Sequence, residues 1–286
     1  MSMDLSWVGR ELGPSPIAWS PETCMLYALG VGAGVDEPQF TTENSEGVRL
    51  RVLPTFATSI SRTGWGELEV TSFGNYGAHQ VVHAAQRLEL RGELPVVGRA
   101  LATLRVEGIF DKRVGAVVEL VTTAVDVASS EELFRSTTSL FVVGEGGFGG
   151  ARGGQLGGTR PPRRPADHTV VQVTRGDQAL LFRLSGDHSP IHSDPAIARR
   201  AGFERPILHG LCTYGFAGRA LVASLCGGDS SRFRAMDARF AKPTYPGDTL
   251  VTEIWADGEN ALFETRNAQG ESLIERGAFS FAKDQG

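Results

Sequence analysis

Nine of the fifteen residues at 144–158 are glycine, and residues 160–165 then read Arg-Pro-Pro-Arg-Arg-Pro. Neither stretch suits a helix interior or a central strand. Glycine loses too much backbone freedom there, and proline lacks the N–H that a ladder or helix uses. The chain of 286 residues is therefore cut near its middle. A domain holds about 150 residues as a soft rule, so each side of the cut has room for a core of its own. The expected division is residues 1–150, a connector at 151–165, and residues 166–286. A glycine-rich loop can also cradle phosphate, but this one lacks the Gly-Lys-Ser/Thr ending of a P-loop and no helical pattern follows it.

Ahead of the cut, residues 99–109 alternate, with Ala102, Leu104 and Val106 on one face and Thr103, Arg105 and Glu107 on the other. That is strand periodicity. Residues 115–127 and 136–143, rich in valine, threonine and leucine, continue as strands of an antiparallel sheet. Earlier, Ser20-Pro21 opens a helix over residues 21–31. After the cut, Asp194-Pro195 starts a helix that Gly202 stops, and a second helix spans about residues 210–225. Strands follow at 249–255, 261–265 and 273–281, with turns at Asp257-Gly258 and Gln269-Gly270. Each half reads as an early helix followed by antiparallel strands. The expected fold class is α+β, built from two copies of one unit.

Composition narrows the function classes. Hydrophobic residues are 41% and charged residues 21% of the chain, the profile of a folded protein. With 28 basic against 33 acidic residues the net charge is -5, so there is no general pull towards phosphate backbones or anionic membranes, and neither is an expected partner. Cys24, Cys212 and Cys226 are too few and too scattered for a disulfide framework or a structural zinc site, which fits a reducing compartment. The opening residues lack a signal peptide's basic start and apolar run, no segment has the length of a membrane span, and the final Lys-Asp-Gln-Gly is not a Ser-Lys-Leu address. A cytoplasmic location is expected.

The densest set of reactive side chains is Gly186-Asp187-His188-Ser189-Pro190-Ile191-His192-Ser193-Asp194-Pro195. Pro190 disfavours a helix between Asp187 and His192, so a turn can fold both into one cleft. A carboxylate and an imidazole meeting on one water can divide general acid and base work between them. The spacing alone fits a plainer account better: a Gly-Asp turn, an Asp-Pro helix cap, and a hydrogen-bonded histidine. Downstream, Pro206-Ile-Leu-His-Gly-Leu-Cys212 places His209 and Gly210 at the entry to a helix whose first N–H groups are free to hold a developing oxyanion.

These residues, with Ala201-Gly202-Phe203 and Leu211-Cys212-Thr213, resemble the hydratase 2 motif of MaoC-like (R)-specific enoyl-CoA hydratases. Tyr27-Ala-Leu-Gly-Val-Gly-Ala33, Leu53-Pro-Thr-Phe56, Gly144-Glu-Gly-Gly-Phe-Gly-Gly150 and Arg239-Phe-Ala-Lys-Pro-Thr-Tyr-Pro-Gly247 are similar to the long form, the hydratase unit of peroxisomal multifunctional enzymes. The resemblance implies a double hot-dog fold, each half a curved antiparallel sheet wrapped around a helix. It implies reversible hydration of a trans-2-enoyl-CoA to a (3R)-3-hydroxyacyl-CoA in fatty-acid or sterol side-chain metabolism. Asp187 and His192 take the catalytic positions, and the Gly210 N–H that of the thioester oxygen donor. Ser189, where the family has asparagine, and His209 are supporting residues. No cofactor and no metal are implied, since coenzyme A arrives on the substrate, and a homodimer is expected. The competing function is a non-catalytic acyl-thioester-binding or structural subunit.

The first half carries a degenerate copy, Ala78-His-Gln-Val-Val-His-Ala-Ala-Gln86, which implies that this half makes room for the acyl tail. His79 and His83 have the i, i+4 spacing of a metal pair on a helix, but no acidic partner lies close in sequence. On the helix that Gly210 opens, Ala217, Gly218 and Ala220, with Leu211, Tyr214 and Leu221, either border acyl space or pack closely on the sheet.

Overall fold

A computed structural model describes residues 3–65 and 68–283; most of the C-terminal Lys-Asp-Gln-Gly lies outside them. Its frame is a ten-stranded antiparallel sheet in the order β1-β3-β4-β5-β2-β7-β10-β9-β8-β6. The first half supplies β1 (Glu11–Trp19), β2 (Val81–Leu90), β3 (Gly98–Asp111), β4 (Gly115–Asp126) and β5 (Glu132–Val143). The second supplies β6 (His168–Val173), β7 (Phe233–Phe240), β8 (Thr249–Asp257), β9 (Asn260–Asn267) and β10 (Ser272–Phe281). The helices are α1 (Pro21–Gly30), α2 (Pro38–Thr41), α3 (Phe56–Thr63), α4 (Gln178–Phe182), α5 (Pro195–Arg200) and α6 (Gly210–Cys226). This is the α+β double hot-dog arrangement that the sequence resemblance implied.

The expected strands at 99–109, 115–127, 136–143, 249–255, 261–265 and 273–281 are all present as β3, β4, β5, β8, β9 and β10. The expected order of elements within each half is not. Each half opens with a strand, β1 or β6, and adds a further one, β2 or β7. The first two are the sheet's edges, where pairing on one side suffices. Pro14 and Pro16 in β1 are tolerated only because an edge strand can spare ladder N–H groups. The other two form the seam between halves, with Ala85 opposite Arg239 and Leu88 opposite Met236. Their burial follows from that pairing and not from an alternating sequence.

Helix α6 packs on β7, β8 and β10, and α3 takes the corresponding place on β1, β4 and β5. Eleven of the 17 residues of α6 are buried, including Cys212, Tyr214, Phe216 and Leu221. A helix covered on nearly every side needs apolar residues all round, so it lacks a polar face. Gly227 ends it with φ of +63°, a left-handed cap that other residues adopt at a cost. The small residues of α6 serve close packing. A Cβ on Gly218 would come within 2.6 Å of the Thr55 methyl, and one on Gly215 within 2.4 Å of Val31. Tyr214 anchors the same face by donating from its hydroxyl to the Met236 carbonyl at 2.7 Å.

The glycine-rich stretch has no regular structure between Val143 and His168, yet it is tied down. Asp111 accepts from the N–H groups of Gly147 at 2.9 Å and Gly149 at 2.8 Å. Lys112 donates to the carbonyls of Arg152 and Gly154. The N–H of Gly158 donates to the Arg276 carbonyl at 2.7 Å.

Candidate active site

The loop that follows α4 is shaped residue by residue. Gly186 has φ of +116°, so its glycine answers a backbone need; no atom lies within 4 Å of where its Cβ would stand. Pro190 opens a single 3-10 turn, Pro190–His192, and Asp194 caps α5 by accepting from the N–H groups of Ala196 at 2.7 Å and Ile197 at 3.2 Å. Between these features the Ser189 backbone links the Asp187 carboxylate to the backbone of His192. Its N–H donates to Asp187 Oδ1 at 3.1 Å, and its carbonyl accepts from the His192 N–H at 3.2 Å. The Ser189 side chain is exposed.

His192 Nδ1 lies 2.9 Å from the Ile207 carbonyl oxygen. A carbonyl only accepts, so Nδ1 carries the proton and Nε2 keeps its lone pair for chemistry. His209 is the N-cap residue of α6, only 1% exposed, and its Nε2 donates to the backbone carbonyl of Asp187 at 3.1 Å. Its ring is stacked on that of His192, centroids 3.7 Å apart, and meets Phe182 at 4.9 Å. Gly210 begins α6 immediately after it, so the 186–195 loop is tied to the helix entry through His209.

Burial works against ionisation of Asp187, but His209, His192, the Ser189 N–H and Arg62 outweigh it and hold the carboxyl below its ordinary range. Burial lowers His192 despite the opposing pull of the Ile207 carbonyl and Asp187. It lowers His209 furthest, to about 3, with the neighbouring His192 acting in the same direction. The resting site thus holds one carboxylate and two neutral imidazoles near pH 7.

Sequence reasoning brought Asp187, His192, Ser189, His209 and Gly210 to one place, and the structure does the same. It missed the contribution of the first half. Arg62, on α3, has its guanidinium carbon over Trp65 at 4.1 Å from the ring centroid and within electrostatic reach of Asp187. His83 meets Phe240 edge-on at 4.9 Å, and burial lowers its pKa to about 4. Arg62 had no signal in the sequence, and His83 had only its spacing from His79 and its place in the degenerate copy, neither of which points to residues 187–192. His79 and His83 do not pair: His79 sits exposed in a 3-10 turn, while His83 is in β2, where i, i+4 is not a shared helical face.

Asp187, His192 and His209 offer ligand atoms that all lie within 4.8 Å of one another, a cluster that spacing did not reveal. Zinc needs lone pairs that converge tetrahedrally. Two imidazoles stacked face to face, 26° from parallel, do not point at a common centre between their planes, one nitrogen of each already serves a backbone carbonyl, and the remaining Nδ1 of His209 is buried. The residues present are a poor fit to a metal ion.

Comparison with known proteins covers both halves of the chain. Residues 158–276 match the MaoC like domain, and residues 18–144 match the MFE-2 hydratase 2 N-terminal domain. The chain is 40% identical to 3-hydroxyacyl-thioester dehydratase Y of Mycobacterium tuberculosis, over 98% of this chain and 99% of that protein. It is 35% identical to the peroxisomal enoyl-CoA hydratase 2 of Arabidopsis thaliana, over 91% of this chain and 89% of that protein. Among solved structures, a MaoC-like dehydratase from Phytophthora capsici superposes with a TM-score of 0.90 at 26% identity, covering 98% of both chains. With both halves matched in order and a relative 40% identical over 98% of its length, the chain belongs to the MaoC-like hydratase 2 family.

Proposed function

We propose that this protein hydrates a trans-2-enoyl-CoA reversibly to the (3R)-3-hydroxyacyl-CoA, with Asp187 and His192 as the acid-base pair. The observation that carries this reading is that a carboxylate oxygen of Asp187 and a ring nitrogen of His192 lie within 4.8 Å of each other and of His209, the residue that caps α6, while the bond from Nδ1 to Ile207 leaves His192 Nε2 its lone pair. A water held between them loses a proton to the pair as its oxygen bonds to C3. The C2–C3 π electrons move towards the thioester, whose oxygen takes up negative charge opposite the Gly210 N–H. The pair returns a proton to C2, so one water is added with no net change in the enzyme. Relatives named as an enoyl-CoA hydratase 2 and a 3-hydroxyacyl-thioester dehydratase support the two directions of this reaction.

No step needs a metal or a resident cofactor. No helix among the described residues is long and apolar enough to cross a membrane. A reducing compartment such as the cytoplasm suits Cys24, Cys212 and Cys226, all buried and unpaired. A homodimer belongs to the same reading and is tested by light scattering.

The deciding experiment follows loss of the conjugated thioester absorbance when the purified protein meets crotonyl-CoA, with and without EDTA. Turnover that resists the chelator, and falls about a hundredfold or more in both Asp187→Asn and His192→Gln, is the expected result. Near-normal turnover in either variant removes that residue from the pair, and activity lost to EDTA and restored by zinc overturns the metal-free chemistry.

A further inference from the structure

The first half lies behind the site with a helix of unexpected polarity. In α3, Phe56 to Ser61 are all buried, and Thr58, Ser59 and Ser61 among them are polar. Buried hydroxyls cost free energy unless they are hydrogen-bonded, so packing alone would favour apolar residues here. These are bonded. Thr58 Oγ1 donates to the Thr55 carbonyl at 2.8 Å, and Ser61 Oγ donates to the Thr58 carbonyl at 2.8 Å and meets the Ser136 hydroxyl of β5 at 3.2 Å. Ser136 also accepts from Gln86 Nε2 of β2 at 2.9 Å, and Gln86 Oε1 accepts from Thr138 Oγ1 at 3.0 Å. Just past the helix, Trp65 Nε1 donates to Thr122 Oγ1 of β4 at 3.2 Å. Gly64 permits that approach, since a Cβ there would come within 2.6 Å of the Ala102 Cβ. A satisfied buried network rigidifies what it holds, so the end of α3 is fixed to β4 and β5.

What this mount holds is Arg62, between Ser61 and the Trp65 ring on which its guanidinium stacks. The carboxylates within its electrostatic reach are those of Asp187 and Glu69. Glu69 is exposed, where water and salt screen it, so Asp187 is the effective counterpart.

Asp187 needs such a partner at rest. His192 and His209 draw it towards the carboxylate only when they carry a proton, and burial keeps both neutral near pH 7. His83 of β2 is within reach of both Arg62 and Asp187, and burial keeps it neutral as well. Arg183 acts on His209. Of the main groups that favour the carboxylate, this leaves the Ser189 N–H and Arg62, and an arginine keeps its charge at every working pH.

Building on the acid-base reading above, we propose that Arg62 is a positioning residue: a permanent positive charge, mounted rigidly in the first half, that holds Asp187 as the carboxylate that hydration requires. The half whose copy of the motif is degenerate then takes part in the chemistry through charge, without touching the reacting atoms.

The test reads Asp187 directly. Its carboxyl 13C resonance, assigned by its loss in Asp187→Asn, is titrated in wild-type protein, Arg62→Gln, Arg62→Met and Arg62→Lys, each checked for folding by circular dichroism. Arg62→Met keeps an apolar stem over Trp65, so a folding defect in Arg62→Gln does not end the experiment. Both neutral variants are expected to raise the Asp187 midpoint by about one pH unit or more, and Arg62→Lys by less than half as much. The acid limb of kcat/KM for crotonyl-CoA should move up with the midpoint, because removing a positive charge favours the protonated carboxyl. A midpoint that stays put in the neutral variants, or moves equally in Arg62→Lys, overturns the proposal. The resonance does not depend on turnover, so the expected midpoints in a protein that fails to hydrate crotonyl-CoA count against the hydratase reading instead.

Discussion

The imidazole of His209 is stacked on that of His192, 3.7 Å between centroids and 26° between planes, while its Nε2 holds the backbone carbonyl of Asp187 at 3.1 Å. One buried ring therefore braces both members of the proposed acid-base pair. Two imidazolium ions could not share this stack. Burial and the adjacent ring keep His209 neutral, so His192 is free to accept a proton during turnover.

This bracing predicts a separation between stability and activity. In His209→Phe the stack survives and the orphaned, buried Nδ1 disappears, but the bond to the Asp187 carbonyl is lost. These effects offset one another, so stability should stay within about 1 kcal/mol while kcat falls roughly tenfold. His209→Ala opens a cavity and should cost about 2–4 kcal/mol besides. Thermal melts and crotonyl-CoA kinetics on both variants decide it; a His209→Phe protein with wild-type kcat means that the ring only packs.

The same burial predicts acid sensitivity. His209 and His83 are held to about 3 and about 4 in the folded protein, against 6.5 for the free side chain. Between those values the unfolded chain binds more protons, so stability falls as pH drops below about 6.5 and keeps falling to about pH 4, where His83 begins to charge in the folded state. Each such histidine contributes a slope of about 1.4 kcal/mol per pH unit inside its window. A Tm that declines across this range, with a shallower decline in His83→Phe, is expected. A flat Tm contradicts neutral burial.

Gly210 is replaceable as far as the protein's own packing goes. A methyl there would stand in ordinary contact with Phe240 at 3.5 Å, and alanine is the better residue inside a helix by about 0.5–1 kcal/mol. Gly210→Ala should keep or raise Tm, yet lower kcat/KM tenfold or more, because the methyl crowds the thioester oxygen at the N–H. Equal kcat/KM in the variant and the wild type would move the oxyanion donor elsewhere.

Ser189 acts through its backbone. Its N–H and carbonyl reach Asp187 and His192, while its hydroxyl stands at the exposed surface. The family resemblance marks Ser189 only as a supporting residue. With this geometry Ser189→Ala should retain turnover within about threefold, the scale of one weak hydrogen bond or less. A loss of tenfold or more would restore the hydroxyl to the chemistry.

What the sequence determined by itself was local. Strand alternation at β3, the proline and aspartate that open α5, the glycines at 186 and 227, and the Asp187–His192 motif are set by residues within a few positions of one another, where backbone preferences and capping act. Tertiary structure decided the rest. The seam of β2 and β7, the stack of His209 on His192 and Arg62 beside Asp187 all join segments far apart in the chain. Such contacts depend on how two half-sheets close against each other, and no short-range rule of propensity or spacing encodes that closure.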